Sequence, residues 1–264
     1  MKHKMDLSNI RLFVLDMDGT FYLGNQILDG ALQFLKAVKD SGREFLFFTN
    51  NSSQTGADYI RKLKHMNCSI NRKQIMTSAD VTISYLHTYH KNQTVYLMGT
   101  DSLKKEFLQQ GISLTENEQP DVVVIAFDQS LTYEKLKKSC TFIRNGAVFL
   151  ATHLDINCPT ENGFLPDCGA MCAAISLSTG IQPRYLGKPF PETLAMIQQH
   201  TRYQKEEIAF VGDRLYTDVA CGVRNGVSGI LVLSGETKQE DICQNDIAPT
   251  AVYGSLKDMI KDLL

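Results

Sequence analysis

A short apolar run near the amino terminus ends in two closely spaced aspartates. The run covers residues 12–15 and predicts a buried β-strand, because it is apolar, partly β-branched and bounded by polar residues. Asp16 and Asp18 follow, and their spacing places both carboxylates on the same face where the strand ends. Two carboxylates at such a short distance repel each other unless a cation or a shared proton lies between them.

Gly19 and Thr20 complete this stretch. Glycine lets a ligand approach the backbone closely, and threonine adds a hydroxyl group. The stretch therefore suits Mg²⁺ and phosphate. It is also compatible with a strand that ends in an acidic turn, so the context in the rest of the chain decides between the two interpretations.

The composition leads us to expect a soluble cytoplasmic protein. A chain of 264 residues with a formal net charge of −2 suits one large domain or two interleaved ones, and it has no basic stripe for nucleic acid. No apolar run resembles a signal peptide or reaches the length of a membrane span. The seven cysteines lack Cys-x-x-Cys spacing, and we interpret Cys168 and Cys172 as core residues rather than a thiol pair.

Strand and helix patterns alternate along the first part of the chain. A hairpin around Gly24, a helix from Ala31 and a second buried strand at residues 44–48 are predicted in that order. This alternation favours a parallel sheet with right-handed crossovers. Ligands in such sheets bind beyond the carboxyl ends of the strands, and both Asp16 and Thr49 fall at such ends.

The middle of the chain predicts an α/β set of its own, and the last third resumes the first pattern. We therefore expect an α/β fold with a Rossmann-like, doubly wound parallel-sheet core at residues 1–80 and 182–264. An inserted α/β domain is expected at residues 81–181. Within the insert, residues 152–167 form the one long stretch that we predict to be irregular, since it contains two prolines and a glycine.

Four polar motifs stand at the ends of predicted strands or beside helices. In chain order they cover residues 16–20, 49–50, 187–189 and 212–218. This ordered set resembles the four motifs of the haloacid dehalogenase superfamily of phosphatases with an aspartate nucleophile. Each motif alone is weak evidence, but all four in this order make a specific signal.

The position of the insert indicates which subfamily the chain resembles. The first two motifs leave room between them only for a hairpin, a helix and a strand, whereas roughly a hundred residues of α/β pattern lie between Asn50 and Lys188. That placement resembles the NagD-like subfamily, whose cap domain enters between the second and third motifs. Residues 151–155 and 163–170 also resemble cap segments of this subfamily, with His153 where relatives often carry asparagine.

The resemblance implies a Mg²⁺-dependent phosphatase that hydrolyses small phosphomonoesters through an aspartyl-phosphate. Asp16 would attack phosphorus, and Asp18 would serve as general acid and then as general base. Mg²⁺ would be bound by the Asp16 carboxylate, the Asp18 backbone carbonyl and Asp213. Asp218 would lie next to these ligands without binding the ion directly. The phosphoryl group would be held by Gly19, Thr49, Asn50 and the catalytic Lys188.

Substrate choice is expected to lie in the irregular stretch of the insert. The core motifs contact only phosphate and metal, which all phosphomonoesters share, and loops on a rigid scaffold commonly carry binding residues. The polar candidates are His153, Asp155, Asn157 and Glu161. The alternative is that this loop only connects strands and that His153 is a packing residue.

Three other functions fit the sequence less well. A dehalogenase on this fold would lack the second aspartate, and Asp18 is present. A phosphotransferase of the phosphomutase type usually carries its cap between the first two motifs, where this chain is too short. A non-catalytic phosphate-binding module would need a lost nucleophile, and Asp16 is present.

The expected partner is a small phosphorylated metabolite. The sequence does not distinguish between nucleotides, sugar phosphates and cofactor phosphates as substrates, because the same core serves them all. Neither a nucleic acid polymer nor a membrane is expected as a partner. The resemblance further implies that two copies can pair as a homodimer through the cap.

Overall fold

The computed structural model describes residues 6–160 and 163–263, which form alternating strands and helices. The strands are β1 (Leu12–Leu15), β2 (Tyr22–Leu23), β3 (Gln26–Ile27), β4 (Glu44–Thr49), β5 (Ile75–Thr77), β6 (Thr94–Met98), β7 (Ser113–Leu114), β8 (Val122–Ile125), β9 (Val148–Ala151), β10 (Asn157–Thr160), β11 (Gly163–Pro166), β12 (Arg184–Tyr185), β13 (Ile208–Gly212), β14 (Ser228–Val232) and β15 (Ala251–Tyr253). The α-helices are α1 (Ala31–Asp40), α2 (Gly56–His65), α3 (Ser78–Tyr89), α4 (Asp101–Gln109), α5 (Tyr133–Arg144), α6 (Cys168–Thr179), α7 (Pro191–Thr201), α8 (Ala220–Arg224) and α9 (Leu256–Met259). None of these described helices is both long and apolar enough to cross a membrane.

The chain divides into two compact units. The first consists of the described parts of Met1–Thr49, Ile60–Met76 and Lys188–Leu264. The second consists of the described parts of Asn50–Tyr59 and Thr77–Gly187. The first unit is therefore assembled from segments on both sides of the second in the sequence.

The boundaries predicted from the sequence, at residues 80 and 182, differ from those of these units. Ser52 belongs to the second unit because its hydroxyl accepts a hydrogen bond from the Phe127 backbone and pairs with Thr152. β12 extends the second unit beyond residue 182, since it pairs in parallel with β9. A polar loop and a two-residue strand have no apolar pattern that would reveal where they pack.

A six-stranded sheet forms the centre of the first unit, with the strand order β15-β14-β13-β1-β4-β5. β1 lies in parallel between β13 and β4, with Leu15 opposite Val211 on one side and Phe47 on the other. All four residues of β1 are buried, which explains its continuous apolar sequence. The parallel sheet with crossover helices confirms the predicted fold class.

A five-stranded sheet with the order β12-β9-β8-β6-β7 forms the centre of the second unit. All of its ladders are parallel. One core cluster joins Phe149 of β9 to Cys168, Cys172 and Ile175 of α6. All seven cysteines are free thiols, which confirms that Cys168 and Cys172 are core residues and not a bonded pair.

A β-hairpin in the second unit corrects one prediction. The sequence predicts an irregular stretch at residues 152–167, but β10 and β11 pair there as antiparallel strands. Each strand contains a proline, Pro159 and Pro166, which argues against a strand in a sequence. A two-stranded hairpin tolerates proline because each strand keeps one unpaired edge. Glu161, one of the predicted polar candidates, lies outside the described residues.

Candidate active site

The polar motifs of the first unit meet at the carboxyl edge of its sheet. Asp16 follows β1, Thr49 ends β4 and Asp213 follows β13. These strands are neighbours, so their ends lie side by side. Lys188 reaches the same edge, where its Nζ donates a hydrogen bond to the Phe48 carbonyl at 3.1 Å.

Lys188 forms two buried ion pairs. Its Nζ lies 2.6 Å from Asp16 Oδ1 and 2.5 Å from Asp218 Oδ1. Burial alone would disfavour the ammonium, but the charges of Asp16 and Asp218 outweigh burial and raise the pKa of Lys188. Lys188 is therefore a fixed positive charge between two carboxylates.

Three carboxylates form a cluster at this edge. Asp16, Asp213 and Asp218 each offer an oxygen, and these oxygens all lie within 4.8 Å of one another. Burial, together with the charge of Asp218, raises the pKa of Asp16 well above its usual range and that of Asp213 to about 7. The cluster carries more negative charge than the Lys188 ammonium balances. It thus suits a further cation.

The backbone closes tightly around Asp213. Its Oδ2 accepts a hydrogen bond from the Glu236 backbone at 2.7 Å, and Thr20 Oγ1 donates to its Oδ1 at 3.4 Å. A Cβ atom on Gly19 would lie 2.5 Å from Asp213 Oδ2, and one on Gly235 would lie 2.0 Å from it. Gly19 also has a φ of +84°, which favours glycine. The two glycines therefore allow this carboxylate to be enclosed by backbone.

Asp218 lies in a π-helical turn, Leu215–Val219, which precedes α8. Such π-helical turns are frequent at functional sites. Asp218 Oδ2 accepts hydrogen bonds from the Arg214 backbone at 3.3 Å and from Thr217 Oγ1 at 3.4 Å. Its Oδ1 contacts Lys188, and an Asp218 oxygen lies within the carboxylate cluster.

Asp18 lies in the turn after β1 and contacts a tyrosine. The Tyr22 hydroxyl donates to Asp18 Oδ2 at 3.2 Å, and the Lys62 ammonium lies 3.9 Å from the Tyr22 ring centroid. Burial raises the pKa of Asp18, while the charge of Lys62 and the Tyr22 hydrogen bond oppose that rise. Sequence reasoning missed Tyr22 and Lys62. The available signal was the predicted hairpin, which turns the chain back toward Asp18.

The loop after β14 is a second part of the site that the sequence analysis missed. Ser234 Oγ donates to the Gly19 carbonyl at 2.8 Å, and the neighbouring Glu236 backbone binds Asp213. Because β14 lies beside β13, its carboxyl end falls at the same edge of the sheet. The rule that ligands bind beyond strand ends could have identified this loop.

His153 belongs to the second unit and is completely buried. Its Nε2 lies 2.8 Å from Asp167 Oδ1, and its Nδ1 lies 2.9 Å from Thr152 Oγ1. Burial alone would lower the pKa of His153, but the charge of Asp167 outweighs it and raises the pKa to about 9. Both ring nitrogens of His153 thus have partners inside the protein, and its predicted contact with a leaving group stays a prediction.

Asp155 is also buried, at 1% exposure, and accepts a hydrogen bond from the Asn50 side-chain amide at 2.8 Å. The hydrogen bond holds the Asn50 amide, and the predicted substrate contact of Asp155 stays a prediction. The Asn50 carbonyl accepts a hydrogen bond from Ser78 Oγ at 2.5 Å. Asn50 thus has a defined position in the second unit, and its phosphate contact stays a prediction.

Models of one protein family match both ends of the chain. The model described as haloacid dehalogenase-like hydrolase matches residues 13–113, and the model described as HAD-hydrolase-like matches residues 185–259. Among curated relatives, the acid sugar phosphatase of Staphylococcus epidermidis is 37% identical over 257 residues. That alignment covers 97% of this chain and 99% of the relative.

Solved structures agree with this match. A 4-nitrophenylphosphatase from Thermotoga maritima is 43% identical with a TM-score of 0.95, covering 99% of this chain and 100% of that one. NagD from E. coli K-12 is 32% identical with a TM-score of 0.87, covering 94% of this chain and 98% of that one. As its four motifs predict, the chain belongs to the haloacid dehalogenase-like hydrolases and, within them, to the NagD-like group.

Proposed function

We propose that the chain is a Mg²⁺-dependent phosphatase that hydrolyses small phosphomonoesters through an aspartyl-phosphate at Asp16. The observation that carries this proposal is the position of Asp16, which follows β1, lies 2.6 Å from Lys188 and belongs to the carboxylate cluster. Two relatives, one named an acid sugar phosphatase and the other a 4-nitrophenylphosphatase, support the same class of reaction.

In the first step, a carboxylate oxygen of Asp16 attacks phosphorus, and the bond between phosphorus and the leaving oxygen breaks. The leaving oxygen takes the proton of the Asp18 carboxyl group, so the alcohol departs neutral. Lys188 donates to Asp16 Oδ1 and orients that carboxylate. Such preorganised charges act most strongly in a buried site, where no water has to be displaced during the reaction.

In the second step, the Asp18 carboxylate takes a proton from water as the water oxygen attacks phosphorus. The bond between phosphorus and Asp16 breaks, which restores the Asp16 carboxylate and releases orthophosphate. Asp18 regains its proton and is ready for the next substrate. The sum of both steps converts one ester and one water into one alcohol and one phosphate.

The carboxylate cluster fits Mg²⁺. Its donors are all oxygens, which this ion prefers, and its negative charge exceeds what Lys188 balances. The Asp16 and Asp213 carboxylates and the Asp18 backbone carbonyl would hold the ion, and an Asp218 oxygen lies within the same cluster. When bound, Mg²⁺ would supply positive charge to the phosphoryl oxygens.

The phosphoryl group would be held by Thr49 at the end of β4 and by Lys188, with Asn50 following Thr49 in the chain. Positioning and charge stabilisation contribute most of the rate in this type of transfer. Gly19 would contribute space rather than a donor, because its N–H donates to the Tyr22 carbonyl at 2.8 Å.

The substrate class that we propose is a small phosphomonoester, with sugar phosphates first because one relative is named an acid sugar phosphatase. A phosphotransferase or phosphomutase would share the first step and pass the phosphoryl group to an alcohol instead of water. Measuring orthophosphate and phosphorylated alcohol together, with a sugar phosphate and excess glycerol, distinguishes these outcomes. We expect orthophosphate as the main product.

The central test is covalent trapping. With ³²P-labelled substrate and rapid acid quenching, Asp18→Asn should retain label on the peptide that contains Asp16, because the base for the second step is missing. Asp16→Asn should retain none. Label on a serine or histidine would refute the mechanism, and circular dichroism of both variants would show that each is folded.

We further propose, from the family resemblance, that two copies pair through the second unit. Static light scattering at micromolar concentration should then give twice the mass of 29.6 kDa. A mass of one chain at all concentrations would contradict this proposal without affecting the proposed reaction.

A further inference from the structure

We infer that Tyr22 is a positioning residue for proton transfer by Asp18. Its hydroxyl donates to Asp18 Oδ2 at 3.2 Å, and this bond assigns the other oxygen, Oδ1, to the proton that the leaving group takes. The inference rests on the proposed phosphatase function. It adds a residue that acts through Asp18 and that none of the four motifs contains.

The backbone fixes Tyr22 relative to Asp18. The Tyr22 N–H donates to the Met17 carbonyl at 3.0 Å, and the Gly19 N–H donates to the Tyr22 carbonyl at 2.8 Å. A β-bridge also pairs Asp18 with Tyr22. These contacts close a tight turn directly after β1, so the phenol ring and the carboxylate are held by the same short segment.

The Tyr22 ring is also held by its surroundings. Its side chain is fully buried, and the Lys62 ammonium of α2 lies 3.9 Å from the ring centroid, which is a cation–π contact. A buried ring below a cation has few alternative rotamers. The hydroxyl therefore stays on Asp18 Oδ2 while the other oxygen exchanges its proton.

The hydrogen bond makes the two oxygens of Asp18 chemically unequal. An oxygen that already accepts a phenol hydrogen is a weaker base, so the acidic proton resides on Oδ1. As that proton moves to the leaving oxygen, negative charge grows on the carboxylate, and the hydrogen bond from Tyr22 becomes stronger. An interaction that strengthens toward the transition state raises the rate of the step.

The size of this effect depends on the leaving group. Nitrophenolate is a stable anion and needs little help from an acid, whereas the alkoxide of glycerol or a sugar needs a full proton. The contribution of Tyr22 should therefore be greatest for alkyl phosphates. A tyrosine with a structural role alone would slow all substrates by the same factor.

The experiment is Tyr22→Phe, assayed on the full chain with Mg²⁺ against substituted phenyl phosphates and glycerol phosphate. The constant to compare is kcat/KM, because it covers only the steps up to departure of the leaving group. We expect a loss of about tenfold to a hundredfold for glycerol phosphate and at most about twofold for p-nitrophenyl phosphate, given the usual strength of hydrogen bonds to charged groups.

Tyr253→Phe is the matched control. The Tyr253 hydroxyl of β15 donates to Asp262 Oδ2, in the segment after α9, at 3.0 Å. This is a tyrosine–carboxylate hydrogen bond like that between Tyr22 and Asp18. Its removal should leave the dependence on leaving group unchanged. Thermal unfolding of both variants shows whether the loss of a tyrosine–carboxylate bond alone disturbs the fold.

A second variant tests whether Tyr22 acts through Asp18. In an Asp18→Asn background, Tyr22→Phe should cause no further change that depends on the leaving group. A further change there, or equal losses for all substrates in the single variant, would overturn the inference alone. A wild-type chain inactive on the whole series would overturn the proposed function and the inference together.

Discussion

Both units place buried ionisable residues at the carboxyl edge of a parallel sheet, but the groups are arranged differently: the first unit has a cluster of three carboxylates with one lysine, and the second has separate ion pairs. In the first unit, Asp16, Asp213 and Asp218 form one cluster, and the Lys188 ammonium contacts Asp16 and Asp218. The acids exceed the base, and burial with mutual repulsion raises the pKa of Asp16 and Asp213. The carboxylate cluster at this edge therefore carries more negative charge than Lys188 balances.

In the second unit, two buried ion pairs lie beyond strand ends. Asp128, which follows β8, lies 2.7 Å from the Lys135 ammonium. His153, which follows β9, lies 2.8 Å from Asp167. The Lys135 ammonium also donates to the backbone carbonyl of Ser130 at 3.2 Å. These pairs are complete without a ligand.

The difference shows that location at a strand end does not by itself identify a reaction site. Buried charges that are paired and hydrogen-bonded belong to the fold, whereas unbalanced ones are unfavourable unless a cation or a substrate offsets them. Net charge within a buried cluster is thus the more specific signal. It separates the carboxylates of the first unit from the ion pairs of the second.

The sharpest test exchanges one acid in each unit for its amide. Asp16→Asn should lower kcat by about 10³-fold or more, because an amide cannot attack phosphorus, while stability stays the same or rises. Asp128→Asn should leave kcat nearly unchanged and lower the free energy of unfolding by about 2 kcal/mol, since Lys135 loses its partner. Phosphate release measures kcat, and urea unfolding measures the free energy of unfolding. Similar losses of kcat in both variants would contradict the comparison.

Metal removal tests the charge surplus directly. Exhaustive chelation should abolish activity, and Mg²⁺ should restore it, whereas Ca²⁺ should do so poorly because its coordination is larger and looser. Mg²⁺ should also raise the melting temperature of the wild type and not that of Asp213→Asn, because binding to the folded state stabilises it. Full activity after chelation would contradict the proposed Mg²⁺ dependence.

The balanced pair in the second unit predicts a pH effect on stability. Burial opposes the imidazolium of His153, but the charge of Asp167, with smaller effects from Cys168 and Asp155, raises its pKa to about 9, against about 6.5 in the unfolded chain. The ion pair therefore stabilises the fold fully below about pH 6.5, and this stabilisation is lost as the pH rises through about 9.

His153→Gln measures this contribution. The difference in free energy of unfolding between wild type and variant should shrink by about 3 kcal/mol between about pH 6 and pH 9.5. Urea unfolding across that range provides the values. A difference that is constant or that grows with pH would show that His153 is not an imidazolium in the folded protein.

The smallest effect is expected at Asp155. Asp155→Asn keeps an oxygen that can accept from the Asn50 amide, so kcat/KM should stay within about threefold of the wild type for all substrates. Asp155→Leu removes the hydrogen bond to that amide and should lower the free energy of unfolding by about 1–3 kcal/mol. A changed ranking of substrates in Asp155→Asn would instead support the substrate contact predicted from the sequence.

The parts of the fold that the sequence predicts are those encoded by local patterns. The apolar run at residues 12–15 matches β1, and the predicted hairpin around Gly24 forms from β2 and β3. The predicted strand at residues 44–48 lies within β4. Asp16, Lys188, Asp213 and Asp218 meet as expected, because strand ends in a parallel sheet share one edge.

The remaining features depend on contacts between residues far apart in sequence. Asn50 and Asp155 are 105 positions apart, and no local pattern shows that one donates to the other. His153 stands in a polar, proline-containing stretch, which suggests exposure, yet it is buried because Asp167 neutralises its charge. Polar residues in a predicted loop are therefore poor indicators of a binding surface unless their partners are known.

The order of strands in the six-stranded sheet has a consequence for synthesis of the chain. β1 is made early, but its neighbour β13 follows only after the whole second unit, since Leu12 pairs with Ile208. Until then one edge of a fully apolar strand lacks its partner, and such edges promote aggregation in nascent chains. Lys188 and Asp213 are made equally late, so a growing chain carries the Asp16 nucleophile long before it carries the groups that orient it. Catalytic competence and protection of the central strand thus arise together, after the second unit has been made.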